Sequence, residues 1–194
     1  AGCGGSCNLA CANQLEDAIL QAGPENVAAF VAEPVVMGGI AVGVPPEDYY
    51  ARIREICDRY DVLFIADEII TGFRYARGGA QELFGVTPDL TTFGKGMANG
   101  YPLSVVTGRG DIMKQMEEVF FSFTAGGETL SLAAALATLN KVQREPVVET
   151  LYERGQMVQN GCQALIEKHG MEHILETSGY PAWNFLTIKD AGKY

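Results

Sequence analysis

Two short apolar runs, each followed by a charged side chain, set the strongest limit on how this chain can fold. Residues 62–66 (VLFIA) end at Asp67, and residues 90–94 (LTTFG) end at Lys95. Runs of this length and composition are typical of parallel strands that are buried on both faces. Open α/β sheets bind ligands outside the carboxyl ends of their strands, so we expect Asp67 and Lys95 at a ligand-binding edge.

The segment before the first of these runs predicts an amphipathic helix. Residues 45–48 (PPED) suit a helix start, because proline fits the first turn and acidic groups interact favourably with the positive end of the helix dipole. Apolar residues then recur on one helical face; they are Tyr49, Ile53, Ile56, Cys57 and Tyr60. With a strand predicted at 27–36, this strand–helix–strand order predicts a parallel sheet with a right-handed crossover. The fold class is therefore α/β, with a mostly parallel sheet and flanking helices.

Other segments carry weaker local signals. Helices are predicted at 14–21, 111–119 and 129–142, a short helix at 80–84, and further strands at 103–107 and 183–188. From Val148 an apolar stripe steps by three and four residues, which favours a helix packed along a domain over a coiled coil.

The two charged strand ends raise a chemical question. A buried ammonium and a buried carboxylate are both costly to desolvate, so each needs a partner. Single charges at strand ends are most often structural salt bridges. One cofactor would suit both groups, pyridoxal phosphate, whose aldehyde condenses with a lysine and whose ring nitrogen pairs with an aspartate. Of the six lysines, only Lys95 has glycines on both sides, which lets a planar group approach the backbone.

Residues 67–74 (DEIITGFR), followed by 93–96 (FGKG), resemble the signature of the class III aminotransferases. The 28-residue step from Asp67 to Lys95 is most similar to the branch that contains glutamate-1-semialdehyde aminomutase. Further matching segments keep the family's order, at 31–34, 88–90, 100–103 and 124–134. The resemblance covers residues 14–185 and implies part of the large domain of a fold type I, pyridoxal-phosphate-dependent transferase. It also implies the start of a small C-terminal domain.

The resemblance implies roles for three residues near the two strand ends. Lys95 would hold the cofactor aldehyde as a Schiff base and then, as a free amine, move a proton between substrate and cofactor. Asp67 would keep the ring nitrogen protonated, which makes the ring an electron sink. Ile69 is expected in the same strand as Asp67, on the same side, against one face of the ring. Because side chains alternate between the two faces of a strand, Glu68 should point away from the cofactor, and we expect it to have a structural role.

Two further positions bear on the type of enzyme. Thr124 precedes a helix start, where a hydroxyl and backbone N–H groups form a natural phosphate site. The matching threonine in the family reaches the phosphate of the neighbouring subunit's cofactor, which implies a homodimer. Ile70 replaces the glutamine of many class III transaminases and favours the aminomutase branch. Glu128-Thr129 stands where family members usually have Asn-Pro, which leaves the local loop geometry open.

The resemblance also divides the chain. We expect a Gly/Cys-rich irregular segment at 1–13, part of a cofactor-binding large domain at 14–145, and a linker helix with the start of a C-terminal domain at 146–194. In the family, a phosphate-binding loop and an aromatic that stacks on the cofactor lie upstream of the matched part. The chain thus resembles the middle of an enzyme about twice as long and is expected to be catalytically incomplete alone.

Composition excludes some partners and leaves other functions open. A net charge of −10 argues against nucleic acid or an anionic membrane as the main partner, and no apolar run reaches the ~20 residues of a membrane span. We expect a small amino or keto substrate and a cytoplasmic location. A catalytically silent oligomerisation module is an alternative. A weaker one is a metal or redox site at Cys3, Cys7 and Cys11, whose spacing fits no common zinc or ferredoxin pattern.

Overall fold

The predicted strands assemble into a four-stranded sheet in a computed structural model, which describes residues 8–35, 43–120 and 122–189. The strands lie in the order β1 (Ala29–Ala32), β2 (Leu63–Asp67), β3 (Leu90–Phe93) and β4 (Val105–Gly108). β1, β2 and β3 are parallel, and β4 runs antiparallel to β3. The mostly parallel α/β sheet expected from the sequence is therefore confirmed.

Helices and a separate hairpin complete the described chain. The helices are α1 (Ala10–Ala22), α2 (Tyr49–Tyr60), α3 (Ala80–Leu83), α4 (Gly110–Met113), α5 (Thr129–Arg144) and α6 (Val147–Lys168). Short 3₁₀ turns occupy Pro24–Asn26, Lys95–Met97 and Lys114–Glu117. The antiparallel hairpin consists of β5 (Leu175–Tyr180) and β6 (Trp183–Ile188). No helix within the described ranges is both long and apolar enough to cross a membrane.

Several predicted boundaries were wrong. α1 begins at Ala10, so residues 10–13 are helical and not irregular. The helix predicted at 111–119 is one turn of α4 followed by a 3₁₀ turn. β1 stops at Ala32 because Pro34 has no amide hydrogen with which to continue a ladder. Two of the six residues of the stripe predicted on α6, Val158 and Leu165, are exposed.

The main core forms where α1 and α2 cover the sheet. The apolar face predicted for α2 packs as expected, with Ile53, Ile56 and Cys57 completely buried against Phe64 and Ala66 of β2. Burial raises the pKa of the Cys57 thiol to about 11, so this cysteine stays a neutral core side chain. This packing positions the carboxyl end of β2.

Asp89, just before β3, ties the sheet to α2. Its Oδ2 accepts hydrogen bonds from the Phe64 amide at 2.8 Å and from Arg54 Nη1 at 2.7 Å, and its Oδ1 accepts one from Arg109 Nη1 at 3.0 Å. Burial alone would raise the pKa of Asp89, but these hydrogen bonds outweigh it and hold the pKa below its ordinary value. These hydrogen bonds hold the start of β3, the strand that ends near Lys95, against β2.

The hairpin packs onto α6 and onto the segment that follows β2. Gly155 allows the close approach of α6, because a Cβ there would overlap the Pro181 carbonyl oxygen. On the other side, Arg74 donates to the Ala182 carbonyl at 3.1 Å, and its guanidinium lies 4.2 Å from the centre of the Trp183 ring. The C-terminal unit therefore touches the segment that carries the candidate site.

Candidate functional site

The carboxyl ends of β2 and β3 bring the two predicted charged residues to one edge of the sheet. Asp67 is the last residue of β2 and lies opposite Thr92 in the parallel register. Lys95 follows the last residue of β3 by two positions and starts a 3₁₀ turn. Because the strands are adjacent and parallel, both side chains leave the sheet at the edge where α/β folds bind ligands.

Two neighbours orient the half-buried carboxylate of Asp67. Its Oδ1 accepts a hydrogen bond from the Ile69 amide at 3.0 Å and another from Thr92 Oγ1 at 3.1 Å. No residue of the described ranges donates to Oδ2. The carboxylate is thus held in one orientation with an acceptor oxygen left over. Thr92 was missed by the sequence reasoning, since only the strand register places it beside Asp67.

Lys95 differs from its expected environment. The expectation of a buried ammonium was wrong for the chain alone, because the Lys95 side chain is exposed. It forms no ion pair or side-chain hydrogen bond with any described residue. Its backbone has a φ of 38°, a left-handed conformation that few non-glycine residues adopt and that often marks functional positions. Lys95 therefore has a free amine on a fixed, unusual backbone.

Ile69 does not continue β2 as expected, because the strand ends at Asp67 and a turn follows. The turn folds the side chain back over β3, so that Ile69 Cγ2 would lie 3.5 Å from a Cβ built on Gly94. Ile69 therefore lies beside Gly94, the residue before Lys95, and its contact with a face of the cofactor ring stays a prediction. The next residue, Ile70, packs into the cluster formed by Tyr75, Ala80 and Ala182.

A cavity of about 1020 Å³ opens beside Lys95. Most of its lining is apolar and comes from the start of β4 and the segment before it, from α4 and the 3₁₀ turn that follows, and from the segment before α5. The lining includes Tyr101, Leu103, Val105, Met113, Met116 and Phe123. Volumes of this order accommodate small-molecule ligands and cofactors. Tyr101 and Leu103 belong to the family-matching segment 100–103, whereas Met113, Met116 and Phe123 lie outside the matching segments and carried no signal that could have identified them beforehand.

Thr124 lies in an exposed turn just before α5. Its neighbours Ser122, Phe123 and Ala125 line the cavity beside Lys95 in the same chain, while Thr124 is outside that lining. The contact with a neighbouring subunit's cofactor stays a prediction.

The start of α5 is less open to an anion than the sequence suggested. Glu128 caps the helix, and its carboxylate accepts hydrogen bonds from the Leu130 amide at 2.8 Å and the Ser131 amide at 2.6 Å. The Ser131 hydroxyl, followed by these amides, lowers the pKa of Glu128. Glu128 therefore occupies these two amides, and the phosphate contact expected for Thr124 stays a prediction. These capping contacts of Glu128 also fix the end of the loop, at the position where family members usually have Asn-Pro.

The cysteine alternative gains no support from the part of the chain that is described. Cys3 and Cys7 lie outside the described residues, and Cys11 is exposed on α1. Within 8–35, 43–120 and 122–189, no group of three His, Cys, Asp or Glu side chains could hold a metal ion.

Comparison with known proteins adds an independent line of support. A family model described as aminotransferase class-III matches residues 3–180. The chain is 34% identical to 3-aminobutyryl-CoA aminotransferase of Cloacimonas acidaminovorans, over 91% of this chain and 43% of that protein. It is 39% identical to glutamate-1-semialdehyde 2,1-aminomutase of Neisseria gonorrhoeae, over 86% of this chain and 39% of that enzyme.

A solved structure agrees with these matches. The pyridoxal-phosphate internal aldimine form of the Sphingopyxis FumI protein superposes with a TM-score of 0.83 and 27% identity, covering 92% of this chain and 43% of FumI. The chain thus spans about two fifths of the length of the relatives that it matches.

Proposed function

The chain belongs to the class III aminotransferases, and from that premise we propose that it carries the catalytic lysine of a pyridoxal-phosphate-dependent enzyme that transfers amino groups. One observation supports this most directly. Asp67 and Lys95 leave adjacent parallel strands at the same edge, each with a polar atom that no described residue uses. Both residues lie at the edge where α/β sheets bind ligands, and Lys95 lines the cavity described above, which favours a ligand-binding site over a catalytically silent module.

The residues present fit the cofactor. When bound, pyridoxal phosphate supplies an aldehyde for a lysine amine and a protonated ring that takes up electrons. Lys95 offers an unpaired amine, and Asp67 Oδ2 offers a free acceptor for a ring N–H. A Cβ built on Gly96 would meet nothing within 4 Å, so the backbone beside Lys95 is open to a planar group.

Each of these residues then has a distinct task. Asp67 holds a proton on the ring nitrogen, and Thr92 and Ile69 keep its carboxylate oriented for that task. Lys95 would anchor the cofactor through its amine, and the same amine, once free, would move a proton between the substrate carbon that bears the amino group and the cofactor. Ile69, which lies over Gly94, would contact one face of the cofactor ring.

The assignment extends to partners. We propose small amino and keto compounds as substrates, a homodimer as the active unit, and the cytoplasm as its location. Support for a second subunit comes from the exposed apolar surface near the cavity, where Phe120, Phe123 and Leu130 are 94%, 63% and 66% exposed. Thr124 lies within this surface and would reach the phosphate of the cofactor in the other subunit. Ile70 favours the aminomutase-like branch, whose members could include transaminases, and an assay of both reactions on a longer protein that contains this chain would decide between them.

Reductive trapping tests the central assignment. The chain is incubated with excess pyridoxal phosphate and reduced with borohydride, and the pyridoxyl group is located by peptide mapping. We expect the label on Lys95 and its loss in Lys95→Ala. Lys114→Ala is the matched control, because Lys114 is also exposed but lies in a polar 3₁₀ turn. A label that favours any other lysine would disprove the assignment.

A further inference from the structure

Glu68, the residue after Asp67, is a buried carboxylate that the proposed chemistry does not use. It is 1% exposed, and no lysine, arginine or histidine of the described ranges pairs with it. Its Oε2 accepts hydrogen bonds from the Thr71 hydroxyl and from the Ala80 amide at 2.9 Å, and its Oε1 accepts one from the Gln81 amide at 2.7 Å. Burying a carboxylate without a cation is costly, so this arrangement needs an explanation.

The surrounding backbone is shaped for this carboxylate. Gly79 has a φ of 86°, and a Cβ at this position would lie 2.6 Å from both Cδ and Oε2 of Glu68. Both the conformation and the space therefore require glycine. Thr71, which supplies the hydroxyl, is completely buried. The carboxylate of Glu68 thus joins the turn after β2 to the first residues of α3.

The main chain of Glu68 connects this anchor to the candidate site. Its amide donates to the Thr92 carbonyl at 2.9 Å, and its carbonyl accepts from the Gly72 amide at 2.8 Å. The next amide, that of Ile69, donates to Asp67 Oδ1. A shift of the turn would therefore move the donor that orients Asp67.

We propose that Glu68 is a positioning residue for Asp67. Its side chain fixes the turn at 68–72 to the start of α3, which holds the Ile69 amide on Asp67 Oδ1 and leaves Oδ2 for the ligand. The importance of Asp67 rests on the proposed function, whereas the mechanical link between Glu68 and Asp67 does not.

Two variants break this link in different ways, and two others serve as controls. Glu68→Gln keeps the shape but replaces one acceptor oxygen with an NH₂ group, so at least one of the Ala80 and Gln81 amides loses its partner. Thr71→Val removes one donor without changing the volume, and Thr71→Ser keeps that donor. Glu82→Gln is the second control: the substitution removes the same charge from an exposed residue of the same short helix, and the remaining side-chain oxygen can still accept from the Gly78 amide, the one hydrogen bond that the Glu82 side chain forms with a described residue.

Amide hydrogen exchange in the chain without cofactor tests the link. We expect the Ile69 and Gly72 amides to exchange about tenfold faster in Glu68→Gln and Thr71→Val, relative to the Ile65 amide in β2. Thr71→Ser and Glu82→Gln should match the wild type. Equal acceleration of Ile65, or an unchanged Ile69, would overturn the proposal; Thr71→Val decides the question if Glu68→Gln does not fold.

A second readout connects the link to the cofactor. With pyridoxal phosphate added, the pH dependence of the absorbance band in Glu68→Gln should shift in the same direction as in Asp67→Asn. An unchanged profile would refute the functional consequence. If the wild type produces no cofactor band at all, the proposed function fails, while the exchange result still decides the role of Glu68.

Discussion

Replacing Asp89 with asparagine should destabilise the chain more than any single exposed ion pair can. The Asp89 side chain is only 10% exposed, and its carboxylate accepts hydrogen bonds from the Phe64 amide, Arg54 and Arg109. The asparagine side chain has one acceptor oxygen in place of two, so its NH₂ group must face a donor. Arg54 would keep only its pair with Asp58, whose side chain is 66% exposed.

The magnitude follows from these contacts. A hydrogen bond to a charged group contributes about 1.5–3 kcal/mol, and removing one partner of a buried pair costs about 3–5 kcal/mol. Because both arginines keep a second carboxylate, we expect the lower part of this range, a loss of about 2–4 kcal/mol in the free energy of unfolding. For a domain of this size, the loss corresponds to a decrease of about 5–15 °C in Tm.

Urea unfolding followed by circular dichroism measures the loss, with Asp111→Asn as control. Asp111 also pairs with Arg109, but its side chain is 65% exposed, so its replacement should have a much smaller effect. The pKa of Asp89 is lowered in the folded state, so its stabilisation is fully present above the unfolded pKa of about 3.9 and is lost as the pH falls through the folded value. The free energies of unfolding of the wild type and of Asp89→Asn should therefore become equal in strong acid. Equal losses in both variants, or a difference that persists in strong acid, would refute the reasoning.

Four further outcomes are expected. Asp67→Asn in a longer protein that contains this chain should slow C–H cleavage more than it weakens cofactor binding, and wild-type turnover would contradict its role. Mixing Lys95→Ala with Thr124→Ala subunits should restore part of the activity, because mixed dimers keep one intact site; no recovery would argue against a contact between subunits. Arg74→Met should alter the fluorescence of Trp183, the single tryptophan, and cost about 1–2 kcal/mol. The chain alone should bind pyridoxal phosphate weakly, since each absent charge-assisted hydrogen bond costs about 1.5–3 kcal/mol, and stoichiometric binding with turnover would contradict this.

Local patterns predicted the sheet and its edge well. The runs before Asp67 and Lys95 are strands β2 and β3, because short apolar runs that end in a charge have few other stable arrangements. The helix α2 was predictable for a similar reason, since the face formed by Ile53, Ile56 and Cys57 can be buried only if the segment is helical.

Elements that depend on distant partners were not predictable. β5 (LETSGY) is polar and contains a glycine, and it becomes a strand by pairing with β6, where the hydroxyls of Ser178 and Thr187 lie 3.1 Å apart. The antiparallel direction of β4 was likewise absent from the local pattern, because direction is set by the pairing partner.

The sequence by itself determined which residues end the strands of the site, since the apolar runs and the glycines beside Lys95 are local features. Only the tertiary structure decided how those residues are held. The register of β2 on β3 sets Thr92 beside Asp67, and the turn after β2 carries Ile69 onto Gly94. These arrangements depend on contacts between residues more than twenty positions apart, and the free energy of such contacts is set by the packing of the whole sheet and not by any local pattern.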